Sequence, residues 1–289
     1  EKGWADRVNL NNKTKITMNN KGLQSGDFEI RSDEIKFDKN TEVMLKSRGP
    51  EGPSFKVRAA SFELIDSDVE CLTTATEGEG GGIDVEADTV LLKGYLRTTS
   101  GDNMIYWDLF FDKPNMKMGA KGGDISINAK DFQIENRGYL RASSNGWLDN
   151  GGEPGLSTIA TSSGDAGNID VQCRFMKMKG DKFERPGDNS SHRNYHTGTR
   201  SSIFSWTKAY PDGGPVTNAG RSGDITIKGD EVLIIDASIV NKSSGSGDVG
   251  AIRMEGDRLE VKGVNVEMKG VVDDTTSLKG PRISNRVWS

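Results

Sequence analysis

A five-residue pattern, glycine, then aspartate or asparagine, then apolar-x-apolar, recurs along this chain and limits what it can fold into. It reads GDFEI from Gly26, GGIDV from Gly81, GDISI from Gly123, GNIDV from Gly167, GDITI from Gly223 and, weakened, GAIRM from Gly250. PSFKV from Pro53 fills the remaining place. Repeats of this length stack supersecondary units that cannot bury an apolar face alone. Aligning the units gives one column of Phe28, Phe55, Ile83, Ile125, Ile169, Ile225 and Ile252. Two residues on stand Ile30, Val57, Val85, Ile127, Val171, Ile227 and Met254. Alternate positions face one side of a strand, so both columns point inward.

The next column, Ser32, Ala59, Ala87, Ala129, Cys173, Gly229 and Gly256, is small throughout, which predicts a tight inward corner. A second strand follows, with Ile35, Phe62, Val90, Phe132, Met176, Val232 and Leu259, then Phe37, Leu64, Leu92, Ile134, Met178, Ile234 and Val261. A looser third strand is read at Val43 and Leu45, Val69, Leu96, Leu140, Ile239, and Val264 with Val266. No helical periodicity separates these strands, which excludes a doubly wound sheet. The expectation is an all-β, right-handed parallel β-helix, a solenoid of about seven to eight coils with three short strands per coil. Start-to-start spacings of 27, 28, 42, 44, 56 and 27 residues set a coil of 27 and place insertions near 101–121, 145–166 and 180–221. Residues 1–289 form a single domain: a partial coil or cap over 1–25, repeated coils over 26–270, and a cap or assembly tail over 271–289.

Composition agrees with a thin core wrapped in turns, with 33% hydrophobic residues and 36 glycines. The net charge of −5 comes from 38 basic and 43 acidic residues without a long run of either sign, so no nucleic-acid partner is expected. No stretch reaches the roughly 20 apolar residues of a membrane helix, and membrane insertion is not expected. The first residue is Glu1, which suggests a processed product or a piece of a longer exoprotein whose export signal lay upstream. Cys71 and Cys173 match neither a disulfide framework nor a metal knuckle, and Cys173 falls in the small inward column.

AGNIDV from Ala166, SGDITIKGDEVLIIDASIVNKSSGSG from Ser222 and GGDISINAKDFQIENRGYLRASSNG from Gly122 resemble the repeats of filamentous-haemagglutinin-like exoproteins of two-partner secretion. The resemblance runs from about Gly26 to Gly270. It implies a right-handed β-helix on the bacterial surface or secreted from it, with an adhesive or scaffolding role.

Asp124, Asn168 and Asp224 stand on successive coils and could form a cation ladder, but Asp and Asn after Gly more often bond their own backbone at bends. His192 and His196 have the spacing of a zinc pair on a helix, yet GDNSSHRNYHTGTR has no helical pattern, so a solvated loop is expected. No metal or cofactor is expected, and no phosphate loop occurs. Trp107, Trp147 and Trp206 fall in different insertions, with Tyr106, Tyr195 and Tyr210 beside them. They either pack those insertions onto the wall or form a contact surface suited to surface glycans. The rival class is a carbohydrate-binding or polysaccharide-degrading β-helix; its galacturonase form needs Asp-Asp with Gly-His-Gly and Arg-Ile-Lys, and only Asp273–Asp274 is present. No enzyme is expected. Val8 and Leu10 at one end, and Ile283, Val287 and Trp288 at the other, are apolar edges that would suit end-to-end self-assembly into a homo-oligomer or filament.

Overall fold

A computed structural model describes residues 5–22, 25–73, 78–100, 121–135, 155–160, 165–180, 201–208, 220–244, 248–263, 267–273 and 284–286. Every regular element among them is a strand. A partial unit, β1 (Arg7–Leu10) and β2 (Lys15–Asn20), leads into β3 (Asp27–Phe37) and β4 (Glu42–Ser47). The next two units are continuous, β5 (Ser54–Thr73) and β6 (Ile83–Ser100). Then come β7 (Ile125–Glu135) with β8 (Gly155–Ala160), β9 (Ile169–Lys179) with β10 (Ser202–Lys208), and β11 (Ile225–Ile235) with β12 (Ser238–Ser244). The last unit is β13 (Ile252–Glu255), β14 (Arg258–Lys262) and β15 (Glu267–Asp273), followed by β16 (Ser284–Arg286).

All of these strands belong to one sheet, paired parallel from unit to unit; the pairing of β15 with β16 is antiparallel. The aligned columns are the observed register. Phe28 pairs with Phe55, Phe55 with Ile83, Ile83 with Ile125, Ile125 with Ile169, Ile169 with Ile225 and Ile225 with Ile252. The second strand repeats this from Val8 and Ile35 through to Leu259. Each inward residue therefore packs on its equivalents above and below, and Phe55, Phe62, Phe132, Ile127, Val171 and Ile227 are fully buried. Phe37 meets Phe62 edge to face with centroids 5.7 Å apart, an arrangement that the aromatic quadrupole favours.

The small column sits at a bend. Just after it one residue drops out of the pairing, as at Asp33 with Ala60 and at Asp88 with Lys130. Inward–outward alternation also changes phase there: Asp88 and Thr89 are both exposed between buried Ala87 and Val90. The second bend uses left-handed residues, Asn12 and Lys13 in the partial unit and Lys39 and Asn40 in the next. Asp66 alone does the same in β5, which shortens the offset from 27 (Phe37 to Leu64) to 26 (Val43 to Val69).

The third strand corrects the sequence reading in three units. Leu96 pairs with Leu156, so β8 takes the place expected for Leu140, which lies outside the described residues. Ile203 in β10 fills the unit left blank, and Met268 rather than Val264 or Val266 pairs with Ile239. Two of the spans read as insertions, 145–166 and 180–221, thus each contain a strand of the sheet. One inward column of this third wall changes character along the stack, from Leu45 and Cys71 to Thr98, Ser205 and Asn241, with Thr158 at the register position between Thr98 and Ser205.

Candidate functional site

From Gly81 onward the glycine that starts each unit is required by the backbone beneath it. A Cβ on Gly123 would overlap the carbonyl oxygen of Gly81, one on Gly167 that of Gly123, one on Gly223 that of Gly167, and one on Gly250 that of Gly223. The aspartate or asparagine that follows bonds to the next unit. Asp124 Oδ1 accepts the Asn168 N–H at 2.7 Å, Asn168 Oδ1 accepts the Asp224 N–H at 2.9 Å, and Asp224 Oδ1 accepts the Ala251 N–H at 2.9 Å. Burial would raise the Asp224 carboxyl, but the Ala251 N–H, Arg253 and Arg221 outweigh it and hold it below its ordinary range. One side-chain oxygen of each residue accepts a backbone N–H of the next unit, and Asp224 also holds Arg221 and Arg253, which makes the ladder a structural clamp. Among the described residues no group of three His, Cys, Asp or Glu side chains could hold a metal ion.

Outward side chains divide the surface into three walls. On the first wall charges pair between units: Arg58 bonds Asp84 at 2.6 Å and Glu86 at 3.0 Å, Lys56 pairs with Asp27, and Lys228 meets Glu255 at 3.4 Å. The second wall carries Glu135 between Lys93 and Lys177, each at 3.1 Å. Burial pushes the Glu135 carboxyl up, and the two ammonium groups more than reverse that. Such exposed pairs each contribute little to stability.

The third wall differs, because residues at its outward positions are buried. Leu72 is 3% exposed, Thr99 4%, Glu70 7% and Val240 7%. Glu70 and Arg97 share one outward column, and Leu72 and Thr99 share the next. Glu70 Oε2 accepts from Arg97 at 2.8 Å and its Oε1 accepts from Thr99 Oγ1 at 2.8 Å, while Arg97 Nε is buried without a partner. With both oxygens engaged, Glu70 is an anchoring carboxylate rather than a free acid or base. Nothing in the repeat motif signals this cluster; it becomes visible once the third-strand register pairs residue 70 with 97.

Of the aromatic residues read as a contact surface, Trp107, Trp147, Tyr106, Tyr195 and Tyr210 lie outside the described residues, as do His192, His196 and Asp274. Trp206 lies in β10, at the register position of Ile159 and Lys242. Val8 and Leu10 are half-buried in β1, packed against the core. Ile283, Val287 and Trp288 lie outside the described residues, on either side of β16. Both thiols are free: burial raises the Cys71 thiol beyond the accessible range, and Cys173, in the small column between Ala129 and Gly229, is pushed up to about 11.

Comparison with family models, with curated proteins and with solved structures finds no match for this chain.

Proposed function

We propose that the chain is a right-handed parallel β-helix of the filamentous-haemagglutinin-like kind, a secreted or cell-surface scaffold that holds adhesive loops along one wall. The observation that carries this reading is where the long connections join. Segments 101–120, 136–154, 161–164, 181–200 and 209–219 each run to or from a third strand, β6, β8 or β10. That is also the wall on which Glu70, Leu72, Thr99 and Val240 are buried. Regular walls with charges paired unit to unit give stiffness, and grafted segments on the third give contacts, as in other repeat proteins that carry insertions on one face. Trp107, Trp147 and Trp206 fall in the spans 101–121, 145–166 and 180–221 of the sequence, and tryptophan is enriched at contact surfaces.

The test is binding to an array of surface glycans. Replacing Trp107, Trp147 and Trp206 together with alanine should cut glycan binding at least tenfold and leave the infrared β-sheet signature unchanged. Unaltered binding by the triple variant would remove the tryptophans from the contact surface. Release of reducing ends from a polysaccharide panel by the wild-type protein would replace the scaffold reading with a polysaccharide-degrading enzyme.

A further inference from the structure

The third-wall ladder runs parallel through β2, β4, β5, β6, β8, β10, β12 and β15, and then reverses. β16 lies antiparallel along β15, with Lys269 opposite Arg286, Gly270 opposite Asn285 and Val271 opposite Ser284. Neither neighbouring wall has such a strand: among the described residues β13 and β14 each pair only with β11. Their columns open to solvent as a result. Leu259 is 46% and Val261 42% exposed, whereas Val232 and Ile234 one unit below are 2% and 1%. At the opposite end β1 and β2 likewise have one described neighbour each, and Val8, Leu10, Ile16 and Met18 are half-buried.

The two ends match in register. Continuing the columns from one copy to the next would set Leu259 on Val8 and Val261 on Leu10, apolar on apolar. It would also set Glu267 opposite Lys15, the pairing that Glu42 already makes with Lys15 at 3.2 Å within the chain. Arg258 would face Arg7, but each already holds a carboxylate, Glu260 and Glu34. What stands in the way is β16, because it occupies the β15 edge that a second copy's β2 would need. It holds that edge through three residue pairs, whereas β2 makes six with β4.

We infer that β16 is a removable cap on the third wall, and that the partner it excludes is the β2 edge of a second copy of this chain. Unpaired parallel edges invite another strand, and covering them is a common way to limit that. Head-to-tail docking of this kind does not close on itself, so the uncapped chain would grow as a rod. The inference rests on the β-helix reading above.

The experiment compares the 289-residue chain with one lacking Ser284–Ser289, by light scattering after size exclusion at low salt and rising concentration. The whole chain should stay a single copy and the shortened chain should lengthen with concentration. In the shortened chain Lys15→Glu should return single copies, and adding Glu267→Lys should restore growth. Three results would each overturn the cap: a shortened chain that stays single, growth indifferent to the two charges, or a whole chain that polymerises unaided. Small-angle scattering of the whole chain separates the two readings. A compact globule rather than a rod would sink the β-helix itself, while a rod whose shortened form stays single sinks only the cap.

Discussion

Gly167 is bonded into its neighbours so closely that its side chain is decided by backbone alone. The carbonyl of Gly123 lies where a Cβ would stand, and the Gly167 carbonyl lies where one on Gly223 would stand. A methyl group there cannot be absorbed by a rotamer change, since the obstacle is the main chain of Gly123 and Asp124. Gly167→Ala should therefore cost about 1–3 kcal/mol or more, the range for forcing atoms into a packed site. Asn168→Ala, next to it, removes one hydrogen bond to the Asp224 N–H and should cost about 1 kcal/mol. Urea melts of the two variants check the order. If the glycine variant is the milder one, the close approach along this column is wrong. This constraint is legible in the sequence: the recurrence of glycine ahead of six of the seven aligned strand pairs points to a position that rejects a side chain, and the following Asp or Asn to a bond made at the bend.

Strands one and two were readable because that glycine fixes their start and a ten-residue run then passes both columns without a gap. The third strand has no such anchor. It follows a bend whose length changes from unit to unit, as Asp66 replaces the Lys39–Asn40 pair, and in β8 and β10 it comes after 19 and 22 further residues. Its inward column also hides the alternation, because Thr98, Ser205 and Asn241 read as surface residues in sequence and yet are fully buried. Their hydrogen bonds explain how the core accepts them. Thr98 Oγ1 donates to the Gly123 carbonyl at 2.6 Å, Ser205 Oγ to the Gly167 carbonyl at 3.2 Å, and Asn241 Nδ2 to the Ala251 carbonyl at 3.0 Å. Each ties a third strand to the start of another unit. Ser205 also accepts the Gly223 N–H at 2.9 Å, so Ser205→Ala removes the acceptor of a buried donor and should cost about 1–3 kcal/mol. Ser126→Ala, outward and exposed on β7, should stay within about 0.5 kcal/mol of wild type. Equal losses at the two serines would mean that the third strand is misplaced. The Glu70–Arg97–Thr99 cluster stayed hidden for the same reason, since its members meet only through that register.

At the scale of the molecule, the described strands of each unit pair with strands of adjoining units, so stability should behave as a sum of unit and interface contributions rather than as one indivisible core. The chain offers a direct check. From Ile225 to Ile252 the offset is 27 residues, and it is the same from Val232 to Leu259, so these two walls advance together over this step. The third wall advances by 29, from Ile239 to Met268. Repeating residues 225–251 once, directly after residue 251, supplies a complete extra unit whose first and second strands enter the existing columns without a shift. Its glycine, the copy of Gly250, falls where the column demands one, and its copies of Ile225, Ile227, Val232 and Ile234 meet residues of the same kind above and below. The lengthened chain should fold, melt no lower than the parent, and extend by about 4.8 Å, one strand spacing, in small-angle scattering. A companion lacking the copy of Thr226, inside the first strand, moves the residues that follow it on that strand to the opposite faces and should lose several degrees or fail to fold. Should both insertions behave alike, the columns would not be what holds the units together, and a stack with fixed register would have to be abandoned.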